Sequence, residues 1–137
     1  MANKILQVGD MKIGTELPFV LIAGPCQLES LDHSRMLAEN ISKICSNLNI
    51  KLIFKGSFDK ANRSSYKTKR GLGIDKGLSI LEKIKAEFEC PVLTDVHDVN
   101  QCLPVSEVVD VLQIPAFLCR QTDLLLSAGE TGKAINV

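Results

Sequence analysis

The sequence predicts an α/β fold built on a parallel sheet. Short apolar runs rich in Val, Ile and Leu alternate with longer stretches whose apolar residues recur at helical spacing. That alternation implies parallel strands joined by helical crossovers. The polar residues suited to chemistry also collect just after the apolar runs, where parallel sheets carry their sites.

Each element has its own signal. Ile5-Leu-Gln-Val8 and Met11-Lys-Ile13 flank Gly9-Asp10 and predict a small hairpin, placed to plug one end of a larger body. Phe19-Val-Leu-Ile-Ala23 predicts a buried first strand, ended by Gly24-Pro25. Leu37, Ile41, Ile44, Cys45 and Leu48 form the apolar face of a helix. Leu52-Ile-Phe54 is the second strand. Leu78, Leu81, Ile84 and Phe88 mark the second helix, which Pro91 stops. Residues 91–96 read as the third strand. A short third helix interrupted at Pro104 follows, then a fourth strand over 108–114. Thr122 is placed to cap a fourth helix running through Leu126 and closing near Gly129 or Gly132. Ala134-Ile-Asn-Val137 starts a fifth strand.

Two architectures fit this order: an open doubly wound sheet and a (β/α)8 barrel. A barrel normally takes about 250 residues, so 137 residues favour the open sheet. Against it, Gly24-Pro-Cys-Gln lacks the spacing of a dinucleotide-binding turn.

Composition narrows the function. Lys and Arg number 16 and so do Asp and Glu, so no whole-chain charge draws the protein to nucleic acid or an anionic membrane. The N-terminus lacks the layout of a secretion signal. Five cysteines, an odd count without a Cys-x-x-Cys pair, point to a reducing cytoplasm, with most thiols acting as small core hydrophobes.

Residues 51–76 depart from this neutrality. Eight bases face two acids there, Asp59 and Asp75. Lys55, Lys60, Asn62, Arg63, Ser64 and Ser65 beside a strand end suit a phosphorylated metabolite, because Arg forks onto phosphate oxygens while Ser and Asn add neutral donors. Aromatics are too sparse there for base stacking. Asp95-Val-His97 puts two side chains on one strand face, where a carboxylate fixes an imidazole's tautomer or raises its pKa. Gln113, Arg120 and Gln121 follow the fourth strand. His33 reads as exposed. Cys26 follows a strand end, a good place for a metal ligand, but no second ligand is evident by spacing, and a structural thiol is the favoured reading.

Four segments carry a resemblance: Phe54-Lys-Gly-Ser-Phe-Asp-Lys-Ala-Asn-Arg-Ser-Ser65, Thr94-Asp-Val-His97, Val111-Leu-Gln-Ile-Pro-Ala-Phe-Leu-Cys-Arg-Gln-Thr-Asp123 and Ala134-Ile-Asn-Val137. Together they resemble the 3-deoxy-D-manno-octulosonate 8-phosphate synthase family. Ala61-Asn62 sets the chain apart from the related 3-deoxy-arabino-heptulosonate 7-phosphate synthases, which typically show Lys-Pro-Arg-Thr there. The resemblance implies a (β/α)8 (TIM) barrel, of which this chain carries strands one to four, the start of strand five and the N-terminal hairpin. It implies one truncated domain over 1–137. It also implies condensation of phosphoenolpyruvate with D-arabinose 5-phosphate and water in cytoplasmic lipopolysaccharide (Kdo) biosynthesis, in a homotetramer.

By the same resemblance, Lys60, Asp95 and His97 are catalytic. Lys55 and Lys60 hold phosphoenolpyruvate and the reacting carbonyl, and Asn62 contacts the pentose. Arg63 and Ser64 take the arabinose phosphate, Gln113 and Phe117 bind substrate, and Arg120 belongs to the phosphoenolpyruvate phosphate pocket. Cys26 implies the metal-dependent branch, with zinc, iron or manganese bound through it at a site this chain leaves incomplete. The alternatives are an inactive fragment or split-gene half completed by a C-terminal partner, and a heptulosonate synthase.

Overall fold

The computed structural model describes residues 4–61 and 63–137. Strands β1 (Leu6–Val8) and β2 (Met11–Ile13) pair antiparallel around Gly9-Asp10, with Val8 opposite Met11. The chain then alternates through β3 (Val20–Ala23), α1 (Leu31–Asn47), β4 (Lys51–Lys55), α2 (Ile74–Phe88), β5 (Val92–Asp95) and α3 (Val99–Val108). It continues through β6 (Val111–Gln113), a 3-10 turn at Ala116–Leu118, α4 (Thr122–Glu130) and β7 (Ala134–Asn136).

Strands β3 to β7 form one parallel sheet in strict sequence order. A doubly wound sheet reverses its strand order at a switch point, whereas a barrel adds strands in one direction. No reversal occurs between β3 and β7, so the open-sheet expectation from chain length gives way to a partial (β/α)8 barrel.

Strand residues alternate between two apolar layers. Phe54, Val92 and Leu112 point to the helices, joining Leu81, Ile84, Val105 and Leu124 in the larger core. Ile53, Leu93 and Val111 point to the concave face and pack on Val8 and Met11 of the hairpin. The hairpin thus closes the end where the strands begin. Gly24 is required by close approach: a Cβ there would overlap the Lys55 carbonyl on the neighbouring strand.

Four local expectations change. The first strand is at the margin of the described sheet, and Ile22 is 40% exposed. Pro104 does not interrupt α3, because the single hydrogen bond it removes runs to the first-turn residue Asn100 on an exposed face. Val108 ends that helix rather than starting β6. The N-cap of α4 is Gln121, without a side-chain bond, and Thr122 is the first helical residue. Cys45, Cys90 and Cys102 are buried, while Cys26 and Cys119 are exposed. Among the described residues no helix is long and apolar enough to cross a membrane.

Candidate active site

The concave face changes character along the strands. Below lie Ile53, Leu93 and Val111; one pleat further on lie Lys55, Asp95 and Gln113, with Asn136 beside them on β7. The register places Asp95 beside Gln113 and Gln113 beside Asn136. Period-two alternation therefore converts a dry floor into a polar upper layer.

A cavity of about 190 Å³ opens there, lined by Lys55, Ser57, Lys60, Asp95, His97, Gln113, Pro115 and Ala116. His97 Nε2 lies 2.8 Å from Asp95 Oδ2, with the two side chains only 7% and 10% exposed. The His97 backbone N–H donates to Gln101 Oε1 at 2.8 Å. The Phe58 ring meets the imidazole edge-on at 5.9 Å. Burial pushes the Asp95 carboxyl up, but the His97 ring and the Ser57 hydroxyl outweigh it and hold the group below its ordinary range. Asp95 Oδ1 and His97 Nδ1 are buried without hydrogen-bond partners among the described residues. Such atoms are costly unless a ligand or water satisfies them.

Lys60 Nζ donates to Ser57 Oγ at 2.8 Å, which aims its ammonium along the cavity wall. Asn136 Nδ2 donates to Gln113 Oε1 at 3.1 Å. A second cavity of about 430 Å³ adjoins, lined by Cys26, Glu29, His33, Lys60, Arg63 and Lys69 among others. Lys60 lines both cavities. Arg63 donates to the carbonyls of Lys60 at 3.4 Å and Tyr66 at 3.2 Å, leaving its buried Nε without a partner among the described residues.

Lys55, Lys60, Asp95, His97 and Gln113 are thus brought together, with Arg63 across the shared lysine. Ser64, Phe117 and Arg120 are exposed and outside both cavities, Phe117 at 83%. Asn62 lies outside the described residues. His33, expected to be exposed, is half-buried, and its Nδ1 is enclosed without a partner. Cys26 shares the second cavity with Glu29 and His33, yet among the described residues no three His, Cys, Asp or Glu side chains converge as a metal site would need. These residues alone do not fit a metal.

Another cavity, of about 380 Å³, lies at the hairpin end between Lys51, Lys85 and Asp110. Two of its charged groups are engaged with each other: Asp110 accepts from Lys85 Nζ at 2.8 Å and from the Val92 N–H at 2.9 Å. Among the described residues, the enclosed polar atoms without partners at Arg63, Asp95 and His97 lie at the polar strand ends instead.

Ser57, Gln101 and Asn136 were not singled out from the sequence. Ser57 continues the Ile53, Lys55 alternation, and Asn136 follows once β7 is set in register with Gln113. No sequence signal ties Gln101 to His97.

The sequence profile of the DAHP synthetase I family matches residues 2–137. The chain belongs to this family. Within the family, it is 60% identical over 135 residues to the 2-dehydro-3-deoxyphosphooctonate aldolase of Rickettsia bellii (strain OSU 85-389), covering 98% of this chain and 49% of that protein. The protein of the same name from Granulibacter bethesdensis (strain ATCC BAA-1260 / CGDNIH1) is 58% identical over 134 residues, covering 98% and 48%. The one from Rickettsia prowazekii (strain Madrid E) is 58% identical over 135 residues. The chain spans about half the length of the curated relatives it matches.

Proposed function

We propose that this chain carries the N-terminal part of a 3-deoxy-D-manno-octulosonate 8-phosphate synthase site. The reaction condenses phosphoenolpyruvate with D-arabinose 5-phosphate and water, releasing phosphate. One observation carries the reading: Lys60 lines two adjoining basic cavities, an arrangement suited to two anions that repel each other in water. The names of the relatives favour the octulosonate product over the heptulosonate one.

In this reading Lys55 and Lys60 neutralise phosphoenolpyruvate in the smaller cavity, and Arg63 and Lys69 face the sugar phosphate in the larger. Asn62 contacts the pentose, Ser64 adds a phosphate donor, and Phe117 and Arg120 contribute from the exposed turn after β6. The enol carbon attacks the aldehyde, water adds at the neighbouring carbon, and the C–O bond to phosphate breaks. Asp95 and His97 orient hydroxyls and carry the proton taken from water; Gln113 aligns the substrate. Preorganised charge supplies much of the acceleration. A divalent ion such as zinc, iron or manganese would take Cys26 as one ligand and its other ligands from beyond the described residues, and no step above depends on it. The intact protein works in the cytoplasm as a homotetramer, with a complementary C-terminal half completing the site for turnover.

The test is ³¹P NMR titration of the 137-residue chain with phosphoenolpyruvate, arabinose 5-phosphate and erythrose 4-phosphate. Saturable binding of the first two, both weakened about tenfold or more by Lys60→Ala, is expected. Erythrose 4-phosphate binding as tightly as arabinose 5-phosphate would overturn the octulosonate reading. Insensitivity of either ligand to Lys60→Ala would overturn the shared-lysine site.

A further inference from the structure

We propose that the Asp59–Arg70 ion pair is a latch that shapes the basic loop 60–70, so that these two side chains are positioning residues for the anion site and not anion ligands. The inference rests on the functional reading above. Arg70 Nε donates to Asp59 Oδ1 at 2.9 Å, and its Nη2 donates to Oδ2 at 2.6 Å. The fork sits at the neck of the loop. There the Lys60 N–H donates to the Arg70 carbonyl at 2.5 Å, and the Gly73 N–H donates to the Phe58 carbonyl at 3.1 Å. Neither Asp59 nor Arg70 lines the two cavities.

The neck controls the groups that face those cavities. Asp59 immediately precedes Lys60, the lysine common to both. Arg63 hangs from the Lys60 carbonyl, and Thr68 Oγ1 closes the tip by donating to the Ser65 carbonyl at 2.8 Å. A planar guanidinium gripping both carboxylate oxygens fixes direction as well as distance, which a lysine cannot do. Arg70 therefore differs from the other bases of the segment, because its charge is already engaged.

The sign of one substitution separates a latch from simple charge. Asp59→Asn removes a negative charge from a basic loop, so electrostatics alone predicts tighter binding of an anion. The latch predicts weaker binding, because the fork is lost. The experiment titrates the 137-residue chain with inorganic phosphate by ³¹P NMR and follows amide hydrogen exchange in the same samples. Asp59→Asn and Arg70→Lys should each weaken phosphate binding about fivefold. The Lys60 and Gly73 amides should exchange faster, while those of Phe54 and Gly56 on the sheet keep their protection and report an intact fold. Tighter binding in Asp59→Asn, parent-like binding in Arg70→Lys, or unchanged exchange at the neck would each overturn the latch. If the parent chain shows no saturable phosphate binding, the anion-site reading is overturned instead, and the exchange data still decide whether the fork holds the neck.

Discussion

Asp95 is buried beside an imidazole, and its carboxyl is held below the ordinary carboxylate range. A depressed folded-state value means the charged form is favoured by folding. The contribution is therefore fully present above the unfolded-state value and is lost as pH falls through the folded one. Asp95→Asn should cost about 1–3 kcal/mol at pH 7, and the gap from the parent should close toward about pH 2. Urea unfolding at the two pH values measures this, and a gap of equal size at both would contradict it. Gln101→Ala belongs to the same scale. It frees the His97 backbone N–H from its 2.8 Å bond, so the His97 ring resonance should broaden or shift while His33, the only other histidine, stays put. An unmoved His97 signal in the proton NMR spectrum would argue against that positioning role.

Helix α2 shows how packing can invert a propensity. Gly77→Ala in a helix interior ordinarily stabilises by about 1 kcal/mol. Here Gly77 is buried against Phe58, whose Cβ a new methyl would overlap. The substitution should therefore destabilise by about 1–3 kcal/mol, read as a lower thermal midpoint; a raised midpoint would refute the contact. That contact also marks where sequence reading runs out. The helices and strands were legible because local periodicity produced them: Leu78, Leu81, Ile84 and Phe88 fix α2 unaided. The Asp95–His97 pair was legible for the same reason, because the strand alternation predicted there carries on past the end of β5 at Asp95. Gly77 on Phe58, Gln101 on His97 and the folding back of Arg63 onto its own loop depend on where the chain returns in space. Ser64 and Arg120 looked equivalent to Lys60 as polar residues near strand ends, but only register and loop path decide which of them faces the concave side.

The molecule as a whole is a curled sheet with helices outside and a hairpin across one end. Strand order distinguished the barrel from the open sheet, and chain length misled because it measures size and not connectivity. The inner apolar layer is thin, and Ile53, Leu93 and Val111 depend on the hairpin for cover. Leu93→Ala should cost about 2–5 kcal/mol. Val8→Ala, on the hairpin itself, should lower stability and raise dye binding to exposed apolar surface, and a parent-like value in both measurements would show that the plug carries no weight. At the opposite end, one ammonium group facing two neighbouring compartments has a thermodynamic corollary. Whatever anion occupies one compartment alters the potential felt in the other, and the factor by which it changes its neighbour's affinity must equal the factor by which the neighbour changes its own. If the two cavities take anions as proposed, uptake through Lys60 would be coupled in both directions.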